Sequence, residues 1–101
     1  MAYSIILSDE ATFDIIDAND WYNVINPTLS GEFEKEIERF LNTILDNPNK
    51  FQLKYKTARI VFLKKFPFGI HYLIDKKTIK VIAVFHTSRN PNNWSEQLNK
   101  K

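Results

Sequence analysis

Residues 57–94 read TARIVFLKKFPFGIHYLIDKKTIKVIAVFHTSRNPNNW and hold nearly all the strand-forming residues of the chain together with much of its positive charge. A β-rich run at 57–63 leads into a Phe66-Pro67-Phe68 turn, and a second run follows at 68–74. The polar stretch Asp75-Lys76-Lys77-Thr78 has the length of a hairpin reversal. The third run, 79–85, is apolar on both faces from Val81 onward, the pattern of a central strand covered on both sides. These runs predict a three-stranded antiparallel meander as the core of the fold.

A chain of 101 residues supports one domain, expected to span 1–101, with a single modest core. Its composition, 44% hydrophobic and 26% charged, is that of a globular protein and argues against extended disorder. The absence of cysteine excludes disulfides, thiolate zinc sites and a cysteine nucleophile, and fits a cytoplasmic protein. The N-terminal apolar run lacks a positive flank and stops at Ser8-Asp9-Glu10, so it reads as a first strand rather than a signal peptide or membrane span.

The net charge of +2 conceals a segregation. Residues 9–46 carry ten acidic side chains against Lys35 and Arg39, a net −8; residues 47–101 carry twelve basic ones against Asp75 and Glu96, a net +10. The second half is where a polyanion would bind. Helices that favour Glu and edge strands that favour Lys produce the same asymmetry without any ligand.

Taken in order, Ser8 is a good N-cap and Asp9 and Glu10 suit a first helical turn. Ile15, Ala18, Tyr22, Ile25 and Leu29 step by three and four along one helix face, while Phe13, Ile16 and Trp21 lie off it. Either this helix is buried on two sides or it leaves an apolar surface for a partner. Asn26-Pro27 breaks the pattern, and a short link is expected to Ser30-Gly31. In the second helix Phe33, Ile37, Phe40, Leu41, Ile44 and Leu45 make a wide apolar face, Glu32, Glu34, Glu36, Glu38 and Arg39 point elsewhere, and Asp46-Asn47-Pro48-Asn49 ends it. The fold class expected is α+β: an N-terminal strand, a two-helix hairpin, then the meander, with the sheet packed on the helices.

Residues 50–56 alternate basic and apolar side chains. They read either as an edge strand with one solvated face or as phosphate and base contacts. The tail from His86 to Trp94 suits a turn, with residues 95–101 a frayed helical end and Trp94 an anchor onto the core. His71 and His86 fall on different strands with no carboxylates spaced around them, so no metal site is expected. With Gly31 and Gly69 alone, there is no glycine-rich phosphate loop. What remains is Lys54, Lys56, Arg59, His86 and Arg89, acid-base and phosphate-binding types that the sheet either gathers into one site or spends on structure.

The first strand, two helices, the Asn26-Pro27 break, Arg59, the Phe66-Pro67-Phe68 block and the His86-Thr87-Ser88-Arg89-Asn90-Pro91-Asn92-Asn93-Trp94 end together resemble the RelE/ParE superfamily of type II toxin-antitoxin toxins. The resemblance covers essentially the whole chain, and its last forty or so residues are similar to the ParE-like branch. It implies a twisted sheet against a helical hairpin, and a cognate antitoxin whose C-terminal segment wraps the toxin as a helix and strand. RelE-like members cut messenger RNA in the ribosomal decoding site with sheet lysines and arginines and often a C-terminal tyrosine; ParE-like members inhibit DNA gyrase without a nuclease site, and the superfamily is tied to plasmid stabilization. Here Gly69 stands about where the ribonucleases place an arginine and Asn93-Trp94 about where the tyrosine falls, whereas Lys54, Lys56 and Arg89 match basic positions. The expected residues are therefore Lys54, Lys56, His86 and Arg89 for catalysis if the chain is a ribonuclease; Arg59, Lys64, Lys65, Arg89 and Trp94 for the target; and Phe13, Ile16 and Trp21 for the antitoxin. No cofactor and no membrane are implied. The targets that remain open are gyrase, favoured, and ribosome-bound messenger RNA, with a non-toxic binding module of the same fold as a third reading.

Overall fold

A computed structural model gives the structure of residues 3–55 and 57–87, and of Lys54 and Tyr55 the backbone only. The elements run β1 (Ser4–Leu7), α1 (Asp9–Ile25), α2 (Pro27–Asp46), β2 (Leu53–Tyr55), β3 (Ala58–Phe62), β4 (Phe68–Asp75) and β5 (Thr78–His86). The strands form one sheet in the order β1-β5-β4-β3-β2. The expected meander is β3-β4-β5, and the class is α+β as read from the sequence. β1 adds a parallel edge beside β5, from Ser4 opposite Thr78 to Leu7 opposite Val81. β2 is a three-residue antiparallel edge against β3, so the edge-strand reading of residues 50–56 holds for its middle.

The helices pack on one face of the sheet. Ala11, Ala18, Phe33, Ile37 and Ile44 bury against Val61, Phe68, Ile70, Tyr72, Ile79, Val81 and Val84. A bulge between His71 and Tyr72 sets His71 opposite Ala83 and Tyr72 opposite Val81, leaving Ile82 as the extra residue. That extra residue shifts the alternation, so Val81 and Val84 are both buried in the core.

Among the described residues no strand lies beside β5 beyond Leu7, and α1 takes over the pairing. The Ser8 N–H donates to the Val81 carbonyl at 2.9 Å. The Ser8 hydroxyl donates to the Ile82 carbonyl at 3.1 Å while accepting from the Ala11 N–H at 3.0 Å, the capping expected of it. One turn on, the Val84 N–H donates to Asp14 Oδ2 at 2.9 Å. Burial pushes the Asp14 carboxyl up from its ordinary value, Glu10 and Asp17 add to the effect, and the Val84 amide opposes it.

Two expectations fail for local reasons. No link separates the helices: Asn26 both ends α1 and caps α2, its side chain accepting from the Thr28 N–H at 2.9 Å, with Pro27 as the first helical residue. Proline at that position lacks only an N–H the helix would leave unpaired anyway, so Asn-Pro starts this helix at once. Glu36 does not point to solvent. It is 1% exposed, and its Oε2 accepts from the Lys64 and Lys65 N–H groups at 2.7 and 2.8 Å while Oε1 accepts from Arg39 at 2.9 Å.

At the far end of the hairpin, the Tyr72 hydroxyl donates to the Pro48 carbonyl at 2.6 Å, and burial pushes its pKa up to about 12 against the pull of Arg59. The β4–β5 reversal has Lys76 at φ 59, the left-handed region. Phe33 meets the rings of Tyr22, Phe66 and Phe68 at centroid distances of 5.5, 5.4 and 5.3 Å, closing the core under the β3–β4 turn.

Burial alone would raise the Glu36 carboxyl, but the two amides and the Arg39 charge outweigh it and hold it below the ordinary 4.5. A carboxylate favoured in the folded state stabilises fully above its unfolded pKa and loses that contribution as pH falls through the folded one. Glu36→Ala should therefore cost about 3 kcal/mol at neutral pH, because it strips the amides of their acceptor. Urea unfolding checks this; the gap between wild type and Glu36→Ala should narrow as pH drops below about 4.5.

Candidate functional site

A basic corner lies where the β3–β4 turn and the end of β5 meet the C-terminal end of α1. The β3–β4 turn closes with the Leu63 N–H donating to the Phe68 carbonyl at 2.9 Å and the Phe68 N–H to the Phe66 carbonyl at 2.8 Å. Because Glu36 draws in the Lys64 and Lys65 amides, the two ammonium groups are left on the outside, both exposed. Arg39, mostly exposed, stands beside them on the other oxygen of Glu36. Tyr22 backs this corner, its ring 5.0 Å from that of Phe66. The end of β5 lies alongside: His86 is opposite Phe68 with the two rings 5.0 Å apart, and the Thr87 N–H donates to the Pro67 carbonyl at 2.7 Å.

On the sheet face away from the helices, Phe62 and Phe85 pack edge to face at 6.4 Å across Gly69, which lies opposite both in the register. A Cβ on Gly69 would fall 2.8 Å from the Phe85 ring and 3.2 Å from that of Phe62, so glycine is what lets the two rings close over the strand. His71 lies two residues further along, 1% exposed and 4.5 Å from the Phe85 ring. Burial lowers its pKa to about 4, which leaves the imidazole neutral at physiological pH.

The expected site residues separate into groups. Lys64 and Lys65 share one corner with His86. Arg59 turns to the helix side, where its guanidinium donates to the Phe51 carbonyl at 2.6 Å and lies 3.4 Å from Asn49 Oδ1, holding the segment between α2 and β2. Lys54 sits on β2, beside the Arg59 end of β3 and three strands away from β5. Four residues of strand rise and three strand spacings set its backbone roughly 20 Å from that of His86. Lys56, Arg89 and Trp94 lie outside the described residues, as does the expected tail helix. Phe13, Ile16 and Trp21 are exposed on the outer side of α1, as their phase demands. Among the described residues no group of three or more His, Cys, Asp or Glu is placed to hold a metal ion, and no helix is long and apolar enough to cross a membrane.

Sequence reasoning missed Glu36 as the residue that shapes the basic corner. The signal was present in helical phase, because Glu36 lies between Phe33, Ile37 and Phe40 on the buried face. Asp14 carried no such signal, since its partner is a backbone amide on a strand seventy residues away.

The profile of a family described as the ParE toxin of the type II toxin-antitoxin system, parDE, matches residues 5–91. The chain belongs to the ParE toxin family. The match runs from β1 through the end of β5, so it takes in the hairpin, the basic corner and Arg89. Among solved structures, a chain of the chromosomal ParDE TA system from P. aeruginosa is similar in fold, with a TM-score of 0.75 at 18% identity over 84% of this chain and 96% of that one. No curated protein sequence matches.

Two outcomes follow from this ParE-family site. His71 titrates near 6.5 when unfolded and near 4 when folded, so the folded state disfavours its charged form. Its contribution is complete above pH 6.5 and drains away, by about 3 kcal/mol in all, as pH falls toward 4. NMR titration should find the His71 ring signals flat down to about pH 5, and titration near the ordinary value would contradict the burial argument. Gly69→Ala should lower stability by about 1–3 kcal/mol through the displaced Phe85 ring, measurable as a fall in Tm with the far-UV spectrum retained.

Proposed function

We propose that this chain is the toxin of a type II toxin-antitoxin pair, acting in the cytoplasm, that arrests growth by inhibiting DNA gyrase rather than by cutting RNA. The family profile over residues 5–91 carries the reading. The similar fold from a ParDE TA system supports the expectation of an antitoxin, whose site would include Phe13, Ile16 and Trp21. Lys64 and Lys65, with Arg59, Arg89 and Trp94, are assigned to the target. Of these, Lys64 and Lys65 have the exposure and the rigid base that contact with a gyrase-DNA complex needs. The reading calls for no metal and no cofactor.

The distance between Lys54 and His86 favours inhibition over nuclease chemistry. General acid-base catalysis needs its groups within hydrogen-bond reach of one reacting centre, and a lysine side chain does not span roughly 20 Å. The second reading, a ribosome-dependent messenger RNA interferase, draws on Lys54, Lys56 and Arg89 standing at basic positions of the superfamily, with His86 as the proton-transfer group.

Inducing the wild-type chain without its antitoxin and mapping transcript ends separates the two. Intact transcripts, DNA-damage signalling and cleaved chromosomal DNA are expected. Ribosome-dependent cuts within codons would instead establish the interferase, for which Arg89→Ala should lower cleavage by about 10²-fold or more. In the gyrase assay, Lys64→Glu with Lys65→Glu should weaken inhibition, most strongly at low salt where charge contacts are least screened.

A further inference from the structure

α1 carries apolar residues on both of its sides. Ala11, Ile15, Ala18 and Tyr22 meet the core, while Phe13, Ile16, Trp21 and Val24 stand away from them. Contiguous large apolar side chains outside the core mark a surface for a partner. Phe13 is 65%, Trp21 64% and Val24 84% exposed. Steps of three and four residues set Phe13, Asp17, Asp20 and Val24 in one row about 16 Å long, with Ile16 and Trp21 on its flanks.

The two carboxylates inside this apolar row decide what fits it. A second copy meeting it across a two-fold axis would bring Asp17 and Asp20 against their own counterparts, and like charges facing across an interface cost affinity. An anionic bilayer is repelled by the same groups. The hairpin as a whole adds to the effect, with its ten acidic residues against two basic ones over residues 9–46. A helix laid along α1, with Lys or Arg bordering its apolar face at three- or four-residue spacing, covers the apolar side chains and pairs both carboxylates.

We propose that this outer stripe of α1 receives a cationic amphipathic helix of the antitoxin, with two of its basic side chains placed on Asp17 and Asp20. The assignment rests on the toxin-antitoxin reading above. It adds the chemistry of the partner segment, and it adds Asp17, Asp20 and Val24 to the contact.

The test uses the full chain purified with the protein encoded by its neighbouring gene. Affinity is measured by calorimetry for wild type, for Asp17→Lys with Asp20→Lys, and for Val24→Glu, with thermal unfolding of each free toxin as the check on folding. Each variant is expected to bind about tenfold or more weakly, with the charge-reversal loss shrinking at high salt. In a Trp94→Phe background, which leaves Trp21 as the sole tryptophan, emission should shift to the blue on complex formation. A wild-type complex whose affinity is unchanged in both variants and whose Trp21 emission does not move overturns the stripe while leaving the toxin-antitoxin reading intact. No complex at all with the wild type overturns both.

Discussion

A single carboxylate sets the relation between the two layers of this protein. Glu36 is charged and almost wholly withdrawn from water, a state that costs several kcal/mol unless every oxygen finds a donor. The Lys64 and Lys65 amides and the Arg39 guanidinium supply them. The turn between β3 and β4 is thereby fixed to the middle of α2, and the cluster of Tyr22, Phe33, Phe66 and Phe68 closes beneath it. Function inherits this arrangement. Backbone amides in a turn can cradle an anion, but here an internal anion already occupies them, so any outside polyanion meets the side chains of Lys64 and Lys65 instead.

α1 answers three demands with one sequence, which is why its apolar residues fail to draw a single stripe. Its inner face fills the core with small residues, Ala11 and Ala18, which let the helix approach the sheet closely. Its first turns pair the open edge of β5 through Ser8 and Asp14, a way of blocking an edge that would otherwise template another strand. The carboxyl of Asp14 is raised for that reason, half-buried near the charges of Glu10 and Asp17 with one amide in compensation. The outer face is left to solvent with Phe13 and Trp21 on it.

The meander was legible because its signals are local: β-rich runs, a two-lysine reversal and a proline-aromatic turn each lie within a few residues. Ser8 as a cap and the outward phase of Phe13, Ile16 and Trp21 were legible for the same reason. At Asn26-Pro27 the sequence permits two readings, proline as the end of one helix or as the start of the next, and they differ only in what the preceding Asn side chain caps. Glu36 was misread because charge outranked phase. The hydrogen bond from Arg59 to the Phe51 carbonyl had no signal in sequence, since the two meet only after the segment between α2 and β2 has folded against β3. The bulge at Ile82 had no signal in sequence, since an apolar residue suits either face there.

The two candidate surfaces meet at one end of the molecule. α1 runs from Ser8, beside Ile82, past Asp14, beside Val84, to Tyr22 over Phe66 and Phe68, so its C-terminal end arrives at the turn that carries Lys64 and Lys65. Trp21 and Val24 are therefore the end of the apolar row nearest the basic corner. An occupant that covers the whole row ends beside the two lysines, and a continuation of its chain by even a few residues, at up to about 3.3 Å each, lies over them. Basic side chains that hold the occupant to Asp17 and Asp20 would be unwelcome at Lys64 and Lys65, so the continuation must change sign. A partner that neutralises this chain by covering both surfaces is then cationic where it follows α1 and acidic where it passes the turn, the mirror of the segregation between residues 9–46 and 47–101.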